Sequence, residues 1–196
     1  MIDLSSRLLH NLFMDFGAIF RLILQDFPKA QINFALIGGF ALASHGYPRA
    51  TIDIDFLVDK KDFPKIKELM LSYGYTLAHE SEDAANFVGG TDKLGRVDFL
   101  LAHRKYTAEM LKRAVNKDIL NNQFKVKVLK VEDLIGLKVQ ASSNDPERYH
   151  QDMSDIETLL KGNLSNLDLN LIKEYFSIFE REKELAEILK RIKNAQ

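Results

Sequence analysis

The stretch from Ala35 to Asp59, ALIGGFALASHGYPRATIDIDFLVD, constrains the fold more than any other part of this chain. It sets a glycine pair, Gly38-Gly39, at the end of one apolar run and an aspartate pair, Asp53 and Asp55, inside a second, with thirteen residues between Gly39 and Asp53. Successive side chains of a β-strand point to opposite faces, so Asp53 and Asp55 share one face while Ile52, Ile54, Phe56 and Val58 turn to the other, into a core. Two carboxylates side by side repel each other, which is unfavourable for folding unless a cation sits between them. Hard oxygen ligands of this kind suit magnesium or manganese. The glycine pair opens onto a short helix over Phe40 to His45, where backbone N–H groups and a helix N-terminus can receive a phosphate. One segment thus combines a phosphate cradle with a metal clamp.

A later run, RVDFLL from Arg96 to Leu101, reads as a strong strand and carries Asp98 on the same face as Arg96 and Leu100. A lone strand aspartate means little by itself. Beside a strand bearing Asp53 and Asp55 it completes a cage of three carboxylates. Divalent ions held in such a cage orient a triphosphate and activate an attacking hydroxyl. Asp98 is also placed to take the hydroxyl's proton.

Around these motifs the chain reads as a mixed α+β front half and a helical back half. Helical spacing of Leu8, Leu9, Leu12, Phe13, Phe16, Ile19, Phe20 and Ile23 predicts a helix from Asp3 to about Gln25, ended by Phe27-Pro28. A buried strand follows over Ile32 to Ile37, and the aspartate strand runs from Ala50 to Val58. Phe63 to Tyr73 is an amphipathic helix with Pro64 in its first turn. Tyr75 to His79 and Asn86 to Val88 read as strands, Tyr106 to Val115 as a helix, and Phe124 to Leu129 as a short strand. Helices are predicted over Val131 to Ala141, Pro146 to Lys161, Leu167 to Phe179 and Glu182 to Ile192, with a turn over Ser142 to Asp145. The predicted domains are 1–130, an α/β core with its N-terminal helix, and 131–196, a helical part packed on that core. In the last part Leu169, Ile172, Phe176 and Phe179 are read as core positions.

Composition narrows the class. The 196 residues include no cysteine, which removes disulfides, zinc–thiolate sites and cysteine nucleophiles. A cytoplasmic location is expected, since the N-terminus lacks a signal-peptide pattern and no apolar run reaches membrane-span length. The net charge of −1 gives no molecule-wide attraction to nucleic acid. Arg104, Lys105, Lys112, Arg113 and Lys117, with Lys125, Lys127 and Lys130, read as a solvated face, against the sharper reading of a ridge steering RNA. His45, His79, His103 and His150 show no metal-ligand spacing and are read as structural or surface residues.

The glycine pair, the Asp53-Ile54-Asp55 step and the later strand carboxylate together resemble the nucleotidyltransferase superfamily that includes DNA polymerase β. The fuller pattern looks like its AbiEii/AbiGii toxin-type branch. The run EDLIGLKVQASSNDPERYHQDMSDIETLL is similar to that branch's helical motif, matched here by Lys138, Arg148, Asp152 and Asp155. The resemblance covers roughly Phe34 to Leu160. It implies a nucleotidyltransferase fold, a small mixed sheet flanked by helices. It implies nucleotide-phosphate contacts for Gly38 and Gly39, metal ligation by Asp53, Asp55 and Asp98, and a triphosphate contact for Lys138 as a mobile charge. Asp152 and Asp155 would orient Lys138 or the acceptor. One departure is Gln151, where related sequences often carry a lysine; Arg49 is read as a turn residue.

The activity implied is Mg2+- or Mn2+-dependent transfer of a nucleoside monophosphate from a nucleoside triphosphate. The acceptor is an RNA hydroxyl, such as a tRNA 3′ end, or a protein hydroxyl. A cognate antitoxin is a candidate partner, and no membrane is implied. Two alternatives stand beside it: a small-molecule, antibiotic-type nucleotidyltransferase, and a non-catalytic nucleotide-, RNA- or partner-binding module.

Overall fold

A computed structural model describes residues 14–194 and divides the chain into two compact units, the first ending at Leu129 and the second beginning at Lys130. In the first unit, α1 (Phe16–Lys29) leads into β1 (Phe34–Ile37), α2 (Gly38–Ser44) and β2 (Asp53–Asp59). A short 3-10 turn then leads to α3 (Phe63–Ser72), β3 (Tyr75–Glu80), β4 (Ala84–Gly89), β5 (Arg96–Ala102), α4 (Lys105–Arg113), β6 (Val115–Ile119) and β7 (Phe124–Val128).

The predicted first helix is only partly within the described residues; Leu8, Leu9, Leu12 and Phe13 lie outside them. Within them, Asp15 caps α1, its Oδ1 accepting from the Ala18 N–H at 2.8 Å. Pro28 does not end the helix as expected. It sits in the last turn, where its missing N–H forfeits one bond, and the Ala30 N–H still donates to the Asp26 carbonyl at 3.0 Å.

The seven strands form one mixed sheet, order β3-β4-β5-β2-β1-β7-β6. β2 pairs with β1 antiparallel and with β5 parallel. β3, β4 and β5 run antiparallel in sequence order, and β7 joins β1 in parallel. The helix expected to reach Val115 stops at Arg113, and β6, unassigned in sequence beyond Val115, pairs antiparallel with β7. Leu120, Asn121 and Asn122, all with left-handed backbone, reverse the chain between them. Its outward Asn116 and Asp118 suit an exposed edge and mask the strand signal in VNKDI.

One face of the sheet is an aromatic core. Phe56 of β2 and Phe99 of β5 stack at 5.9 Å, while Phe20 and Phe27 of α1 meet them at 6.2 Å each. Phe87 of β4 meets Phe99 edge-on at 5.7 Å. The period-2 alternation that buries these rings turns Asp53, Asp55 and Asp98 to the opposite face.

The second unit is helical: α5 (Val131–Asn144), α6 (Tyr149–Asn163), α7 (Leu169–Ile178) and α8 (Glu182–Asn194). The expected turn at Ser142 to Asp145 is helical as far as Asn144. The Ser142 and Ser143 hydroxyls donate back to the Val139 carbonyl at 3.1 and 2.7 Å, which lets these residues stay in the helix. Arg181 donates to both hydroxyls, at 2.7 and 3.0 Å. Ile172 and Phe176 are buried as predicted, beside Tyr175, whose hydroxyl donates to Asp133 Oδ1 at 2.6 Å. Among the described residues no helix is long and apolar enough to cross a membrane.

Candidate active site

Two central strands bring the aspartates together. In the parallel β2–β5 pair Asp55 lies directly across from Asp98, and Asp53 across from Arg96. Asp53, Asp55 and Asp98 are each half-buried and offer carboxylate oxygens that all lie within 4.8 Å of one another. They form the only such group of potential metal ligands among the described residues. Ile52, expected on the core face, is 39% exposed because β2 begins at Asp53.

Thr51, just before β2, donates its hydroxyl to Asp53 Oδ1 at 2.8 Å and to the Asp53 carbonyl at 3.2 Å. One side-chain oxygen of Asp53 is thereby fixed. The glycine pair lies at the start of α2 and is needed for close approach. Gly38 has φ +62°, and a Cβ there would overlap the Asp55 carboxylate. A Cβ at Gly39 would lie 2.7 Å from Thr51 Cβ. Both glycines therefore seat the loop against the carboxylate cluster.

Arg96 brings a positive charge to the cluster. Its Nε donates to Asp98 Oδ1 at 2.9 Å. That hydrogen bond, with the charges of Asp98, Asp53 and Asp55, raises the guanidinium's pKa above its ordinary value against partial desolvation. Asn86 on β4 stands across from Asp98 on the other side of β5, extending the polar row. Sequence reasoning assigned no role to Thr51, Arg96 or Asn86. Alternation did place Arg96 on the face of Asp98, which was the available signal; the Asn86 register required the β4–β5 pairing.

Lys138, Asp152 and Asp155 meet within the second unit. Lys138 Nζ donates to Asp152 Oδ1 at 3.0 Å and to Asp155 Oδ2 at 2.5 Å. Arg148 Nε lies 3.4 Å from Asp152 Oδ2. Lys138 and Asp152 are buried, at 8% and 2% exposure. The lysine expected as a mobile charge is thus held in place, and two cations balance two carboxylates. His45 and His103 take structural partners, the Leu129 carbonyl at 2.8 Å and Asp83 Oδ1 at 2.7 Å.

A mixed sheet with a carboxylate triad on its central parallel pair, and a glycine pair seated against it, is the arrangement the resemblance to nucleotidyltransferases implies. The chain belongs to a family described as uncharacterised nucleotidyltransferase, whose model matches residues 14–189, and it is a transferase enzyme. No curated protein matches it. Its fold is similar to the solution structure of the antibiotic-resistance factor ANT(2'')-Ia, with 14% identity and TM-score 0.62 over 89% of this chain and 96% of that one. It is also similar to the crystal structure of ANT(2'')-Ia with adenylyl-2''-tobramycin, with 14% identity and TM-score 0.61 over 83% and 95%. An antigenic nucleotidyltransferase-like protein from Paracoccidioides brasiliensis matches at 15% identity and TM-score 0.51 over 90% and 94%. These likenesses establish the fold.

Proposed function

We propose that this enzyme transfers a nucleoside monophosphate from a nucleoside triphosphate to an acceptor hydroxyl, releasing pyrophosphate, with a divalent cation held by Asp53, Asp55 and Asp98. The observation that carries this reading is the convergence of the three carboxylates on one face of β2 and β5. The donor set fits Mg2+ or Mn2+, since all three donors are hard anionic oxygens close enough to share one ion. When bound, such an ion neutralises phosphate charge and polarises the phosphorus under attack. Asp98 accepts the proton of the attacking hydroxyl. Thr51 keeps Asp53 in its ligating orientation. Gly38 and Gly39 contact nucleotide phosphates with their backbone N–H groups. Lys138, Asp152 and Asp155 are further nucleotide-binding candidates, and within the second unit both carboxylates hold the lysine.

The acceptor in this reading is RNA, such as a tRNA 3′ end, or a protein hydroxyl. The support is the toxin-type pattern from Gly38 to Val58 with the Lys138–Asp155 motif. A toxin of this kind arrests growth when expressed without an antitoxin. A second reading, a small hydroxylated acceptor, is supported by the adenylylated antibiotic bound to ANT(2'')-Ia, whose fold this chain shares over most of both lengths.

The test is incubation of the purified protein with each α-phosphate-labelled nucleoside triphosphate, Mg2+ and total cellular RNA, with Asp53→Ala/Asp55→Ala alongside. Label entering RNA or protein only with the wild type, and lost on chelation, supports the proposal. Label entering an added aminoglycoside instead selects the second reading. Equal labelling by wild type and variant overturns the assignment of the triad.

A further inference from the structure

We propose that Arg96 is a resident counter-ion of the carboxylate site, which an incoming divalent cation displaces from Asp98. The inference rests on the metal reading above and concerns a residue that reading leaves without a role.

The argument is one of charge and position. Three carboxylates with oxygens within 4.8 Å repel one another, and the fold holds them on its two central strands. Arg96 is flanked by Asp98 along β5 and by Asp53 across the β2–β5 pair, and its Nε occupies Asp98 Oδ1 at 2.9 Å. A guanidinium is planar, permanently charged and only weakly hydrated, so it substitutes for an ion at a carboxylate. The Arg96 side chain is also the more exposed of the two, 49% against 19% for Asp98. The arginine therefore has open solvent to move into when a cation takes its place. An oxygen that accepts the Arg96 N–H is less available to a cation, and the nearby positive charge opposes the ion's entry. The site is therefore assembled before the metal arrives, at the expense of affinity for the bare ion.

A merely structural arginine and a competing one predict opposite signs. Removing a structural support disorders the ligands and weakens metal binding. Removing a competitor strengthens it. Two unit charges about 4 Å apart in water interact by an amount equal to roughly a fivefold change in an equilibrium constant, and the divalent ion makes about fivefold a lower estimate.

The experiment is Mn2+ titration without nucleotide, with free ion read by electron paramagnetic resonance, on wild type, Arg96→Gln, Arg96→Lys and Asp53→Ala/Asp55→Ala. The expected result is Mn2+ binding to Arg96→Gln tighter by about fivefold or more, with Arg96→Lys near the wild type. Equal or weaker binding by Arg96→Gln, while the wild type binds and the double alanine variant does not, overturns the counter-ion role and leaves the metal reading standing. Equal binding by wild type and the double alanine variant overturns both. If Arg96→Gln is unfolded in chelator, refolding on Mn2+ addition, read by circular dichroism, supports the proposal because the ion then replaces the guanidinium. Failure to refold overturns it.

Discussion

Replacing Lys138 by methionine keeps the buried stem and removes only the ammonium, which isolates the charge. In the wild type that ammonium lies 3.0 Å from Asp152 Oδ1 and 2.5 Å from Asp155 Oδ2. At an effective dielectric constant near 20 each pair amounts to roughly 6 kcal/mol of gross attraction, most of it offset by the cost of removing the ions from water. What matters is the asymmetry after substitution. Asp152 is left 2% exposed, with Arg148 at 3.4 Å as its remaining cation, and Asp155 sits close by. Breaking a buried pair by removing one partner costs about 3–5 kcal/mol. Urea unfolding followed by circular dichroism should show that loss as a lower midpoint at unchanged slope. Adding Asp152→Asn and Asp155→Asn to Lys138→Met should recover most of it, because the uncompensated charges are then gone. A Lys138→Met protein within about 1 kcal/mol of the wild type would refute the reasoning, since exposed pairs are worth only that much.

Gly38→Ala should lose about 1–2 kcal/mol from the left-handed backbone alone, and it should also lose Mn2+ binding because the new Cβ displaces Asp55; calorimetric unfolding and ion titration check the two parts. Thr51→Val, which keeps the shape but removes the donor to Asp53, should lower Mn2+ affinity or transfer rate by about 10–100-fold with the fold intact by circular dichroism. Gly136→Ala sets two effects against each other: helix propensity favours alanine by about 1 kcal/mol, while a Cβ 2.7 Å from the Tyr175 ring overpacks the interior by about 1–3 kcal/mol. The net expectation is a lower unfolding midpoint, and a rise would show that the ring moves freely.

What the sequence made legible follows the reach of each signal. Period-2 alternation acts within a strand, and it correctly set Asp53, Asp55 and Asp98 opposite Ile54, Phe56, Val97 and Phe99. It does not say that β2 and β5 are neighbours; the triad needed the family pattern for that. Local signals were misread where tertiary partners override them. Pro28 stayed in α1 because it falls in the last turn, and Ser142 and Ser143 stayed helical because Val139 and Arg181 take their hydroxyls. Edge strand β6 was missed because its exposed Asn116 and Asp118 do not alternate with a strong apolar set. At Lys138 the expected orientation by Asp152 and Asp155 is present, but its burial was not legible. The burial of a helix lysine depends on which helix packs against it, here the one bearing Asp152 and Asp155, and local sequence does not carry that.

The parallel pairing of β2 with β5 has a consequence for how the aspartates can relieve their mutual repulsion. Neither strand is at an edge: β1 flanks β2 and β4 flanks β5, so both are hydrogen-bonded on each side. A one-residue slip would separate Asp55 from Asp98. It would also drive a row of carboxylates into the space filled by Phe56 and Phe99, whose rings stack at 5.9 Å. The rings on the far face thus act as a latch on the register. The sheet stores the electrostatic tension of the site instead of dissipating it, and substitutions that shrink those rings should loosen the carboxylates from behind.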